Sequence, residues 1–285
     1  MAIALVSRTI RRLAGLEAMP QPPLVRLRHP VVLMHGFGLL AGIKRGGHLH
    51  DEAMWLRAHG VWAYAPNVVP YQTVAVRCAM WEERLQRILD ETGADKVHLI
   101  AHSMGGLDAR YLISVLGYHA RVATLTTIST PHHGASIAQI ALEAPALLLD
   151  PAAGFTNWLG TSAFEGGFSN VVDSLHELTP AAITERFNPA VPDHPDVVYR
   201  SYAGRAGRGT DVPISPALYF QNALIHAREG VNDGIVGAES ARWGTFEGYV
   251  DADHAAQVGL RLGRSGFRAR DFYLALVHRF ADEGG

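Results

Sequence analysis

The chain predicts a doubly wound α/β fold, a mostly parallel central sheet with helices on both faces. Three observations carry this expectation. The apolar runs Val31 to Met34, Val97 to Ile100 and Val122 to Ile128 have the length and continuity of strands buried on both sides. Segments with apolar residues at helical spacing lie between them, so strand and helix alternate as crossover connections require. With 285 residues that are 48% hydrophobic, the chain can bury one large core, which predicts a single domain over residues 1–285.

The N-terminal stretch MAIALVSRTIRRLAGLEAM starts apolar and is broken by Ser7, Arg8, Arg11 and Arg12. A secretory signal places its charges first and its apolar region after them, so this order argues against one. Ile3, Val6, Ile10, Leu13 and Leu16 share a helical face and predict an amphipathic helix. No stretch approaches transmembrane length. Cytoplasmic residence is the default reading, with export left open.

After a linker from Pro20 to Pro30, the strand Val31 to Met34 closes on His35, Gly36, Phe37 and Gly38. His50 to His59 then reads as a helix, Val61 to Tyr64 as a short strand, and Val74 to Glu91 as a long helix. The only cysteine, Cys78, lies in that helix, which excludes an intrachain disulfide and a structural zinc site built on several thiolates.

The segment KVHLIAHSMGGL, Lys96 to Leu107, changes period abruptly. Val97, Leu99 and Ile100 read as strand, whereas Leu107, Tyr111, Leu112 and Val115 recur at helical spacing. Ser103 sits at the change. A serine exposed at the apex of a tight strand-to-helix turn needs small residues two positions before and after it, because the two backbones approach closely. Ala101 and Gly105 meet that need, and Ser103 is the candidate nucleophile. Acyl transfer also needs two backbone N–H donors for the oxyanion, one after the nucleophile and one from a loop following an earlier strand. Met104 and Phe37 are placed to supply them.

The strand Val122 to Ile128 closes on STPHHGAS, which the topology puts on the same rim as Ser103. Adjacent His132 and His133 point different ways and have no nearby carboxylate at ligand spacing, so loop-shaping hydrogen bonds are expected of them rather than a metal. Ile137 to Phe168 is more apolar than a crossover requires and predicts a cover, with 137–187 as a lid or cap insert. Ser174 to Phe187 reads as two short helices, Val197 to Ala203 as the returning strand, and Ala269 to Phe280 as the final helix.

Asp233 lies in the Gly-rich turn VNDGIVGAES, and His254 follows Asp253 in a short loop. A serine needs a base to take its proton and an acid to hold that base in the right tautomer, and the order Ser, Asp, His fits this set. Asp211, Asp251 and Asp253 compete for the acid role, and His226 and His278 for the base. With 25 basic and 27 acidic residues, net charge −2 and no long run of Lys or Arg, nucleic acid is not an expected partner.

The motifs HGFG, AHSMGG, STPHHG, NDGIVG and DHAAQVG, in this order, resemble the bacterial true-lipase family of α/β hydrolases from Val31 onward. The resemblance implies an α/β-hydrolase fold with a helical lid. It also implies Ser103 as nucleophile, Asp233 as acid, His254 as base, and Phe37 and Met104 as oxyanion donors. The expected activity is hydrolysis of hydrophobic acyl esters, most of all triacylglycerol, at a lipid–water interface and without an organic cofactor. A short-chain carboxylesterase and an acyltransferase are the alternatives, and a non-catalytic binding protein is a third that does not need all three residues. The chain departs from the family at Ala101, in place of the first elbow glycine, in lacking a cysteine pair, and at Ala256, where an Asp calcium ligand is expected. Calcium is therefore disfavoured, and the oligomeric state is not readable.

Overall fold

In the computed structural model the described residues are 23–37, 47–143, 168–260 and 266–284. The predicted N-terminal helix, Gly38 and the middle of the apolar insert lie outside them. Among the described residues six strands form one sheet in the order β2-β1-β3-β4-β5-β6, and every pairing in it is parallel. They are β1 (Val31–Met34), β2 (Ala63–Tyr64), β3 (Val97–His102), β4 (Val122–Ile128), β5 (Val198–Gly204) and β6 (Thr245–Val250). The helices are α1 (His50–Ala58), α2 (Val74–Thr92), α3 (Gly105–Ser114), α4 (Ser136–Glu143), α5 (Phe168–Glu177), α6 (Tyr219–Glu229) and α7 (Ala269–Asp282).

Alternation along the strands divides the core in two. Val32 and Met34 of β1 and Leu99 and Ala101 of β3 pack with Trp81 and Leu85 of α2 and Leu112 of α3. Val31, Leu33 and Ile100 face the other way, onto Leu56 of α1 and Tyr273, Val277 and Phe280 of α7. Side chains at successive strand positions point to opposite faces, so a strand apolar throughout must be covered twice. Cys78 is buried in the first of these layers, as its helical setting predicts, and burial pushes its thiol up.

Most elements fall where the sequence puts them. The short strand is two residues rather than four, with Val61 and Trp62 leading into it. Residues 23–30 of the linker have no regular structure but are tied down, since the Val25 amide donates to the His59 carbonyl. The second of the two short helices is a π-helical turn, Ala182–Phe187, running into a helical turn at Asn188–Ala190. Among the described residues no helix is long and apolar enough to cross a membrane.

Candidate active site

Ser103 occupies the junction of β3 and α3 with φ of +58°, a left-handed conformation rare outside glycine. Holding a side-chain-bearing residue there costs on the order of 1–3 kcal/mol and persists only where the surroundings impose it. The surroundings do so. The Ser103 amide donates to Ile128 O at the end of β4, and its carbonyl accepts from the Thr130 hydroxyl at 2.7 Å. A methyl group on Gly105 would lie 2.8 Å from Met34 O, and one on Gly106 would collide with Thr130. The turn therefore fits only with small residues beside it. Its serine is largely buried rather than exposed as the sequence suggests, because the loop after β1 lies directly over it.

That loop is the His35-Gly36-Phe37 stretch. A methyl group on Gly36 would come within 2.6 Å of both Ser103 Cβ and Met104 N, so the loop backbone packs against the elbow at the place where two oxyanion donors must converge. Among the described residues the Met104 N–H meets no acceptor, and it opens the positive N-terminal end of α3. His35 is locked beneath: its Nε2 accepts the Val68 amide at 3.2 Å, so Nδ1 carries the proton donated to Gly36 O at 2.9 Å. Burial and the neighbouring Arg77 hold His35 well below its ordinary pKa, and it stays neutral.

Arg77, from α2, supports the loop from behind. Its Nη2 donates to His35 O at 2.7 Å and its Nη1 to Val69 O at 2.8 Å, while Nε donates to Asp108 Oδ2 at 2.9 Å. Trp81 Nε1 adds a bond to the same carboxylate oxygen at 3.0 Å. Both charged side chains are fully buried.

Asp233 and His254 come together from opposite sides of β6. His254 Nδ1 lies 2.7 Å from Asp233 Oδ2, and the His254 amide donates to the Asp233 carbonyl at 3.0 Å. A carboxylate only accepts, so Nδ1 carries the proton and Nε2 keeps its lone pair. Asp233 Oδ1 accepts the amides of Ile235 and Val236, at 3.0 and 2.9 Å. Gly234, with φ of +97°, makes the turn tight enough for this. Burial pushes the Asp233 carboxyl up, but the attraction of His254, its hydrogen bond, the Val236 amide and the Ser129 hydroxyl outweigh burial and hold it down at about 2. The His254 ring rests on His102, the residue immediately before Ser103, with centroids 4.4 Å apart.

The competing residues are engaged elsewhere. Asp253 accepts the Ser215 amide and hydroxyl and the Ala256 amide, which makes it a loop-shaping residue. Asp251 pairs with Arg205 at the surface, Asp211 is exposed, His226 packs against the turn at Gly209, and His278 is exposed on α7. His132 is buried between Thr127 Oγ1 and Arg110 Nη1, and His133 bonds Ser240, so both shape the loop. Among the described residues no group of three or more His, Cys, Asp or Glu gathers as a metal site.

Two residues at the acid escape a reading of the sequence. Gln257 Nε2 donates to Asp233 Oδ2 at 3.0 Å. Ser129, at φ of +49°, puts its hydroxyl between Asp233 and the Gly204 amide. The motifs STPHHG and DHAAQVG contain Ser129 and Gln257, but nothing in them assigns either residue to the acid.

A model of the PGAP1-like alpha/beta domain matches residues 72–143, from α2 through the elbow to α4. The triacylglycerol lipase of Pseudarthrobacter phenanthrenivorans is 34% identical over 165 residues, which cover 55% of this chain and 48% of that protein. The triacylglycerol lipase of Burkholderia plantarii is likewise 34% identical over 165 residues, covering 55% of this chain and 43% of its own length. The match thus spans about half the length of these curated relatives. Among solved structures, a carboxyl esterase from a metagenome superposes with a TM-score of 0.71 at 20% identity, covering 93% of this chain and 79% of the other, which is a likeness of fold. The parallel sheet with its elbow on β3 gives the chain the fold of that esterase, and about half of its sequence is similar to these triacylglycerol lipases.

Proposed function

We propose that the protein is a serine ester hydrolase acting on hydrophobic acyl esters, as a triacylglycerol lipase, and that residues 137–187 form its cap. The observation that carries this reading is the short bond from His254 to the buried, ionised Asp233, with the His254 ring packed on His102, the residue that precedes a serine held in a strained turn. In this reading His254 Nε2 takes the proton of Ser103 as Oγ attacks the ester carbonyl. Carbonyl π electrons move to oxygen, and the Phe37 and Met104 amides stabilise that oxyanion. Collapse of the intermediate breaks the ester C–O bond, and His254 returns the proton to the departing alcohol. Water, deprotonated by the same imidazole, then releases the acid and restores Ser103. Asp233 stays a carboxylate throughout, fixing the tautomer and stabilising the imidazolium. No organic cofactor enters any step.

The triacylglycerol lipases that share 34% identity with this chain support the choice of substrate. The test is a panel of p-nitrophenyl esters of increasing acyl length beside an emulsified triglyceride, run on wild type and Ser103→Ala. Hydrolysis of long-chain esters and triglyceride, lost with phosphonate labelling in the Ala variant, is the expected result. Activity confined to butyrate and shorter esters would make it a carboxylesterase. Transfer to an added alcohol in preference to water would make it an acyltransferase, and an Ala variant that still labels would remove Ser103 from the chemistry.

A further inference from the structure

The acid of the candidate triad is held by more than its own turn. Gln257 is buried, and its Nε2 reaches two acceptors, Asp233 Oδ2 at 3.0 Å and Ala252 O at 3.2 Å. The nitrogen must face those two oxygens, so Oε1 is turned to the remaining neighbour, His102 Nε2 at 3.1 Å. His102 therefore donates from Nε2, and its ring lies against that of His254. The amide closes a circuit: Asp233 bonds His254 and Gln257, Gln257 bonds His102, and His102 packs on His254 and precedes Ser103 in the chain.

An amide meets every demand of this circuit. The position must donate to a carboxylate and accept from an imidazole N–H, which excludes a carboxylate, an ammonium and an apolar side chain. The fold reserves space for it: a methyl group on Gly204, at the end of β5, would collide with Gln257 Nε2 and lie 2.8 Å from Asp233 Cβ. The helical turn Ala256–Val258 that carries Gln257 is fixed in turn by Asp253, whose carbonyl accepts the Gln257 amide and whose Oδ1 accepts the Ala256 amide.

We infer that Gln257 is a positioning residue for the Asp233–His254 pair, linking the acid to the strand that presents Ser103 through His102. This rests on the ester-hydrolase reading for its catalytic consequence. Its structural content does not. The groups facing the pair are His102 from β3, Ser129 from the end of β4, the Ile235 and Val236 amides and Gln257, with His48 also near His102. Removing the amide takes one donor from Asp233, which makes the carboxylate more basic and holds the His254 proton more firmly.

Three measurements test this. In wild type, side-chain ¹⁵N shifts of His102 should report a neutral Nε2–H tautomer from neutral to mildly acidic pH. An Nδ1–H tautomer would overturn the inference without any variant. In Gln257→Met the His254 Cε1–H titration should move to higher pH, whereas an unmoved titration in a folded variant would reduce Gln257 to a packing residue. On a soluble short-chain ester the same variant should lose about ten- to a hundredfold in kcat, the scale of a hydrogen bond to a charged group, with KM within about twofold. A wild-type kcat would likewise overturn it. If wild-type protein hydrolyses no ester, the proposed function fails while the His102 and His254 resonances still decide the role of Gln257.

Discussion

Ser103 and Asp233 are held in opposite ways: the serine by crowding that forces φ to +58°, the aspartate by donors that converge on its carboxylate. The difference separates two aspartates that the sequence leaves in competition. Asp233→Asn should keep the fold and lose about three to four orders of magnitude in kcat, because the amide reverses the His254 tautomer. Asp253→Asn should cost mainly melting temperature, since it loosens the bonds to Ser215 and Ala256, and the reverse ranking would reassign the acid. The same substitution bears on acid unfolding. Asp233 is depressed in the folded chain to about 2, below its ordinary carboxylate value. Its contribution to stability is therefore complete above about pH 4, and it is lost as pH falls toward 2. It amounts to on the order of 2 kcal/mol, so the melting midpoint of Asp233→Asn should fall less steeply than that of wild type across this window. The candidates Ser103, Asp233 and His254 stand out in the sequence because each sits in a local pattern of small or turn-forming residues. Gln257 and Ser129 were not, because what they do depends on chain segments up to 155 residues away.

Between elements, the Arg77–Asp108 pair joins α2 to α3 and reaches the loop after β1. Burial raises the Asp108 carboxyl above its ordinary pKa even with Arg77 and Trp81 bonded to it, so desolvation is the dominant influence here. Such a pair contributes little net stability as a unit but is costly to halve. Arg77→Met or Asp108→Leu alone should destabilise by about 3–5 kcal/mol, and the double substitution should recover most of that loss. Only variants lacking Arg77 lose the bond to His35 O, so the double variant should regain its melting temperature while kcat stays low. Equal recovery of both would show that the bond from Arg77 to the loop after β1 does not matter for turnover. Two elements were invisible to periodicity for physical reasons. α6 buries Gln221 and Asn222 beside Ile225, a polar face that carries no apolar repeat. β6 is an edge strand, mostly part-exposed, with Gly248 at φ of +131°, so it has neither an apolar run nor clean alternation.

At the scale of the whole molecule, loops following β1, β3, β4 and β6 meet at one rim of the sheet, with α4 and α5 leading into and out of the apolar insert. The chain just after residues 137–187 is anchored: Arg110 of α3 bonds Asn188 Oδ1 and Val191 O and stacks 3.7 Å from the Trp243 ring. Residues 144–167 can therefore be shortened without releasing those contacts. If the insert governs access, a shortened chain should lose palmitate ester hydrolysis before butyrate, and equal losses would make it a fixed layer. The all-parallel order carries one more consequence, set by the direction of synthesis. β3 lies at the middle of the sheet and is made early, whereas β6 is the last strand made and, with the His254 loop after it, belongs to one edge. A nascent chain can complete the elbow and even the Asp233 turn, but His254 does not reach Asp233 until β6 and the loop after it have left the ribosome. The elbow that carries Ser103 is thus made well before His254, and an unfinished chain holds it without the Asp233–His254 bond.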